Sequence, residues 1–208
     1  MISRPVSFFD RPTKRVARTL LGDVLVHALP TGKRLVGRIV ETEAYTEDDP
    51  ACHAAHLQKD PETGVISGRG RGHDLFAPPG TAYVYLIYGM HWLLNVVTEP
   101  EGTAGAVLIR AVEPVAGWDA MRTRRERSRD VDLTNGPGKL TEAFGIDDVQ
   151  HGTSLTDAPL YLAEGRAVDA AQVAQSSRIG ISKGVERPWR WFVAESPYVS
   201  PATPSDRQ

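Results

Sequence analysis

The chain has a single cysteine, Cys52, among 208 residues. An intrachain disulfide is therefore excluded, and the composition suits a reducing compartment. It also has no large excess of either charge. Against 24 Lys and Arg stand 26 Asp and Glu, a formal net charge of −2. A uniformly basic nucleic-acid binder is excluded, so any such contact must come from a local concentration of cations. No apolar run approaches the length of a membrane span, and the N-terminal MISRPVSFFDRP has no secretory apolar core. The expected location is the cytoplasm, or the nucleus in a eukaryote. Repeats are absent, and no linker divides the chain. With 41% hydrophobic residues, it suits one soluble domain with a substantial core.

Several common chemical signatures are missing as well. Gly68, Gly70 and Gly72 alternate with arginines, but no strand precedes them and the GxGxxG spacing is absent. LTNGPGKL, residues 133–140, is not a Walker loop, because Leu140 stands where a magnesium-holding Ser or Thr belongs. The amides at that helix start could still hold one phosphate. His53 and His56 lie close to Cys52, yet there is no second Cys pair and no HExxH order, so no metal site is expected.

What is present centres on Ala82 to Thr98, AYVYLIYGMHWLLNVVT. Two strand-favouring apolar runs flank Gly89 and Met90, which predicts a β-hairpin. Tyr88 sits at the turn, where its ring would project outward. Asn95 interrupts the second run, and its amide needs partners or costs about 1–3 kcal/mol. These features fit a plain core hairpin, or one that presents an aromatic wedge while its base lines a polar pocket.

Before the hairpin, Asp10 to Leu21 predicts a helix with Asp10 as N-cap, followed by strands Val24 to Leu29 and Leu35 to Tyr45. Period-2 alternation places Ile39, Glu41, Glu43 and Tyr45 on one face of the second strand. Residues 46–81 lack periodicity, as functional loops often do. After the hairpin, Ala106 to Val112 predicts a strand containing Arg110, whose charge must reach water, pair with Glu41 or Glu43, or serve a site. Glu113 and Pro114 would introduce a helix running into Arg122, Arg124, Arg125, Arg127 and Arg129, a solvated face or a phosphate-binding one. Leu133 to Phe144 reads as a glycine-rich turn entering a helix, and Leu160 to Ala163 and Trp189 to Val193 as strands. The glycine of Arg178-Ile179-Gly180-Ile181 would permit close approach to the backbone. From Ser196 to Gln208 a loose tail is expected.

These pieces suit an enzyme that extrudes a base from a duplex, stacks it among aromatic rings and activates water against the sugar carbon. Five ordered blocks, RIVETEAY, DPACHA, AYVYLIYGMHWLLNVV, VLIRAVEP and LTNGPGKL, resemble the alkyladenine (3-methyladenine) DNA glycosylase family. The resemblance runs from about Phe9 to Val193. It implies a mixed α/β (α+β) single domain, residues 1–208, with a curved, mostly antiparallel sheet flanked by helices and a hairpin protruding towards DNA. It implies Glu43 as the water-activating carboxylate and Arg110 as the residue positioning that water. It further implies Tyr45, His53 and Tyr85 as pocket-stacking groups, Asn95 at the pocket bottom and Tyr88 as the intercalating residue. The spacing from Tyr45 leaves His56 as a rival to His53, and His91 stands where the family can carry another aromatic.

The implied partner is double-stranded DNA containing alkylated or deaminated purines, bound by a monomer without cofactor or metal. 3-Methyladenine and 7-methylguanine are the first candidate substrates, with hypoxanthine and ethenoadenine after them. No lysine falls in the matching site motifs before Lys139, so strand cleavage through an amine is not expected. The alternatives are a non-catalytic nucleic-acid binding module and a small-molecule hydrolase. Glu43 separates the first, since a carboxylate facing phosphates would weaken a mere binder.

Overall fold

The structure, a computed structural model, describes residues 1–126, 129–201 and 203. Its elements are α1 (Val6–Phe9), α2 (Thr13–Thr19), β1 (Val24–Ala28), β2 (Arg34–Thr46), β3 (Gln58–Lys59) and β4 (Ile66–Ser67). Then come β5 (Ala82–Ile87), β6 (His91–Val97), β7 (Gly105–Ala116), α3 (Trp118–Arg125) and α4 (Pro137–Phe144), and finally β8 (Leu160–Ala163), β9 (Val173–Ser176) and β10 (Arg190–Val193). Among the described residues, eight strands form one antiparallel sheet in the order β5-β6-β7-β2-β1-β8, and β10, carrying β9, pairs with the far end of β2. The sheet curls into a half-barrel, and β3 and β4 pair apart from it.

The two faces of the sheet differ. Val16 and Ala17 of α2, Met121 of α3, and Leu140, Ala143 and Phe144 of α4 join sheet residues such as Ile39, Leu94 and Ile109 in one buried apolar cluster. The opposite face carries a smaller cluster, in which Cys52, Ala54, Leu75 and Phe76 of the long loop meet Tyr83, Val97 and Ala106.

A paired irregularity decides which side chains reach that second face. Along β2 and β7 the register runs Ile39↔Val112, Glu41↔Ala111, Thr42↔Ile109. Val40 is the extra residue on one strand and Arg110 on the other, so both alternations invert at the same level. Ile39 therefore packs with the helices, and the Thr42 hydroxyl donates to the Ala17 carbonyl of α2 at 2.8 Å. Glu41, Glu43 and Tyr45 face away. Strict alternation wrongly grouped Ile39 with them.

The first helix also departs from expectation. Asp10 closes α1 rather than opening a longer helix, and Pro12 precedes α2 without a side-chain cap. The cap comes from across the fold: Glu99 accepts from the Thr13 amide at 2.6 Å and its hydroxyl at 2.7 Å. β7 continues through Glu113 and Pro114 to Ala116, and α3 starts only after Gly117, whose φ is +87°. Nor is the tail loose as far as Ser200, which is buried and donates its amide to Glu41 at 2.7 Å.

The hairpin is where the sequence places it, with its turn centred one residue earlier, on Tyr88 and Gly89. Both have positive φ, 53° and 70°, the geometry of a type I′ turn. On the sheet's other side Gly37 permits close packing: a Cβ there would lie 2.5 Å from Val112 Cγ2 and 3.0 Å from Phe144 Cζ. Gly37→Ala should cost about 1–3 kcal/mol, read from the urea unfolding midpoint. An unchanged midpoint would mean that β2, β7 and α4 have room to spare.

Candidate active site

On the second face, one cross-strand row runs Tyr83, Asn95, Leu108, Glu43, Arg190 and Ser176, each residue opposite the next. β2 and β7 are bulged beside this row, and there the charged groups converge. Glu41 and Glu43 have no exposed surface, and Arg110 and Arg190 are almost as deeply buried. Arg110 Nε donates to Glu41 Oε1 at 2.9 Å, and its Nη1 lies 3.2 Å from Glu43 Oε1. Arg190 Nε donates to Glu41 Oε1 at 2.6 Å. The Ser200 hydroxyl completes the surroundings of Glu41. Burial pushes the Glu41 carboxyl up, but Arg110, Arg190 and Ser200 outweigh it and hold the group below its ordinary value. Burial would lower the Arg110 guanidinium, and the two carboxylates reverse that.

Glu43 is held by different partners. The Ile179 amide donates to Oε1 at 2.8 Å, and the Tyr45 hydroxyl donates to Oε2 at 2.8 Å. A carboxylate offers about four lone-pair positions. Among the described residues, Ile179 donates to Oε1, which also faces Arg110, and Tyr45 donates to Oε2. Burial, then the Glu43 charge, pushes the Tyr45 phenol well above its ordinary value, so Tyr45 remains a proton donor.

Behind Tyr45 lies a second buried pair. Arg178, with no exposed surface, is paired with Asp49 and also donates to the Ala44 carbonyl at 2.9 Å and the Gly184 carbonyl at 3.2 Å. Its guanidinium carbon stands 4.6 Å from the centre of the Tyr45 ring. This pair ties the start of the loop carrying His53 to the segment that supplies the Ile179 amide.

Next to these groups opens a cavity of about 810 Å³, within the usual range for ligand sites. Tyr45, His53, Tyr85, Asn95 and Arg110 all line it, and Tyr88 stands on its edge. Glu43 lies just behind the lining, covered by Tyr45, Arg110 and Ile179. His53 meets Tyr85 edge-on with centroids 4.7 Å apart, and burial, then Arg71, lowers its pKa. His56 also lines the cavity, but His53 holds the aromatic contacts. Burial, then Glu43, pushes the Tyr85 phenol up to about 12. Asn95 donates its amide to the Tyr83 carbonyl at 3.1 Å, which satisfies that interruption of the strand. Cys52 is buried, its thiol pushed up to about 11 by burial.

Arg69, Arg71, Arg110 and Lys183 lie on the lining, and among the described residues no Asp or Glu does. The arginine run is placed elsewhere and is occupied. Arg122 pairs with Asp130 and Asp119, Arg125 with Glu142 and Arg129 with Asp132, while Arg124 donates to the Ala143 carbonyl. Arg127 lies outside the described residues. Sequence reasoning missed Asp49, Tyr83, Arg178, Lys183, Arg190 and Ser200. Asp49 and Tyr83 lay inside quoted motifs and Arg178 beside a noted glycine, but Lys183, Arg190 and Ser200 carry no local signal.

Residues 7–197 match the family model described as methylpurine-DNA glycosylase. A curated relative from Salinibacter ruber, named "Putative 3-methyladenine DNA glycosylase", is 73% identical over 97% of this chain and 98% of its own. Relatives of the same name from Prosthecochloris aestuarii and Methanoculleus marisnigri are 48% and 43% identical. They cover 95% and 94% of this chain, and 90% and 97% of their own lengths.

The shifted Glu41 carboxyl makes stability depend on pH. Its folded pKa lies below the unfolded value, so its contribution is present above about 4.5 and is lost as pH falls through the folded value. Glu41→Gln should cost about 3–5 kcal/mol at neutral pH and flatten the decline in urea midpoint below pH 4.5. A variant whose midpoint declines in parallel with the wild type would remove Glu41 from this role.

Proposed function

Because this chain belongs to the methylpurine-DNA glycosylase family, we propose that it hydrolyses the N-glycosidic bond of alkylated or deaminated purines in double-stranded DNA. The observation that carries this reading is a buried carboxylate, Glu43, behind an aromatic cavity whose charged lining residues, among the described residues, are cations. Cations without competing carboxylates suit a polyanion. Tyrosine and histidine rings suit a flipped purine, and alkylated purines that are cationic as nucleosides gain further from electron-rich faces.

In this mechanism the damaged nucleotide turns out of the duplex into the cavity. The base stacks among Tyr45, His53 and Tyr85 and reaches towards Asn95. Tyr88 occupies the space left behind. Water admitted to Glu43 as the nucleotide seats attacks C1′. The new bond joins the water oxygen to C1′, the C1′–N bond breaks with its electron pair leaving on the base, and the water proton passes to Glu43. The carboxylate also stabilises the oxocarbenium-like sugar. Arg110, Ile179 and Tyr45 hold Glu43 for this task. A neutral base such as hypoxanthine needs a hydrogen bond or proton on its leaving side. The product is an abasic site without strand cleavage. Lys183 is the lysine on the cavity lining, so it is the amine to watch in a borohydride-trapping control.

Glu43→Gln should retain binding to duplex DNA carrying one hypoxanthine or methylated purine and slow single-turnover base release by about 10²–10⁴-fold. Tight binding with no release by the wild type would favour a binding module. A second variant isolates the wedge. Asn adopts positive φ more readily than Tyr, so Tyr88→Asn should keep or raise the melting temperature. It should slow release from duplex DNA by about tenfold, equivalent to ~1.4 kcal/mol of the few needed to unstack a base. Parallel loss of stability and activity would sink the wedge assignment.

A further inference from the structure

Tyr83 has no place in the mechanism above, yet two residues of the cavity are oriented by it. Its backbone carbonyl accepts the Asn95 amide at 3.1 Å, and its hydroxyl lies 2.7 Å from His53 Nδ1. Tyr83 is itself immobilised. It is 3% exposed, it is the second residue of β5, paired with Asn95, and its ring is tilted on Tyr85 with centroids 5.3 Å apart. On its far side it meets the edge of His151 at 5.8 Å. His151 in turn accepts from the Val84 amide at 3.2 Å and lies 3.5 Å from Asp74.

The direction of the Tyr83–His53 hydrogen bond follows from satisfaction. A buried phenol must give its proton to an acceptor or pay for leaving it unpaired. Burial raises the Tyr83 phenol above its ordinary value, so the proton stays on oxygen. Among the described residues, the side-chain partner of that hydroxyl is His53 Nδ1, which can serve as acceptor. The imidazole proton must then sit on Nε2. Edge contacts to Tyr83 at 5.9 Å and Tyr85 at 4.7 Å fix the plane of the ring.

We propose that Tyr83 is a positioning residue that locks His53 as a neutral Nε2–H donor at the cavity, so that His53 selects a hydrogen-bond acceptor on the flipped nucleotide. The lock itself is a property of the folded chain. Its effect on base release rests on the glycosylase reading.

The test uses the full chain with ¹⁵N-labelled histidine. Two-bond ¹H–¹⁵N correlations at neutral pH report which ring nitrogen of His53 carries the proton, with His53→Gln to assign the signals. The wild type should show Nε2–H alone, and Tyr83→Phe, which removes only the hydroxyl, should populate both tautomers. Tyr83→Phe should also slow single-turnover release by about fivefold, the effect of one neutral hydrogen bond, while Tyr85→Phe leaves the His53 tautomer unchanged. A wild-type Nδ1–H tautomer, or an unaltered single tautomer in Tyr83→Phe, would overturn the lock. A changed tautomer with an unchanged rate would overturn its part in the reaction. Absence of release by the wild type would sink the glycosylase reading, and the tautomer measurement would still decide the lock.

Discussion

The two buried carboxylates of β2 are the constraint from which much of this structure follows. Removing Glu41 and Glu43 from water costs several kcal/mol each unless charge and hydrogen bonds replace the lost solvent. The molecule answers with two guanidiniums, Arg110 from β7 and Arg190 from β10, and with the Ile179 amide, the Tyr45 hydroxyl and Ser200. All of these partners but Tyr45, which shares β2 with the acids, come from distant parts of the chain. The matched bulges at Val40 and Arg110 are the backbone's share of this solution. With strict alternation on both strands, Glu41, Glu43 and Arg110 would share the face of Ile39 and Val112, among the apolar residues under the helices.

Once charge is gathered on one face, the other is free to be largely apolar. That division lets α4 brace the hairpin from behind. Its Thr141 hydroxyl donates to the Trp92 carbonyl at 2.7 Å, and Gly138 lets His91 pack against the start of the helix. A braced hairpin can support an unfavourable tip. Tyr88 holds a positive φ, and its ring is 82% exposed. Both features oppose folding and gain nothing within the chain, and such costs are commonly found where a surface meets a ligand.

Charge is likewise sorted by position rather than by amount. A net charge of −2 says little about a molecule whose cavity lining, among the described residues, carries arginines and a lysine but no carboxylate. The conspicuous arginine run, by contrast, is consumed by Asp119, Asp130, Asp132 and Glu142 and by the end of α4. The cations that matter at the cavity come from the irregular loop, from β7 and from the segment after Arg178.

Local pattern was enough to determine the hairpin, most strands, the apolar helix faces and the existence of residues such as Asn95 and Arg110 that do not belong in a plain core. Those are properties of short windows, where propensity and periodicity act. The motif blocks also brought Glu43, Tyr45, His53, Tyr85 and Tyr88 to attention. Tertiary structure alone decided which acid each arginine would serve and which face Ile39 would take. It decided, too, that Glu99 would cap a helix 86 residues away and that Ser200 would close over Glu41. The physical reason is common to all of these. The energy of a buried polar group depends on what surrounds it in space, and neither the bulge that re-aims a side chain nor a partner more than a hundred residues distant leaves a periodic trace in the sequence.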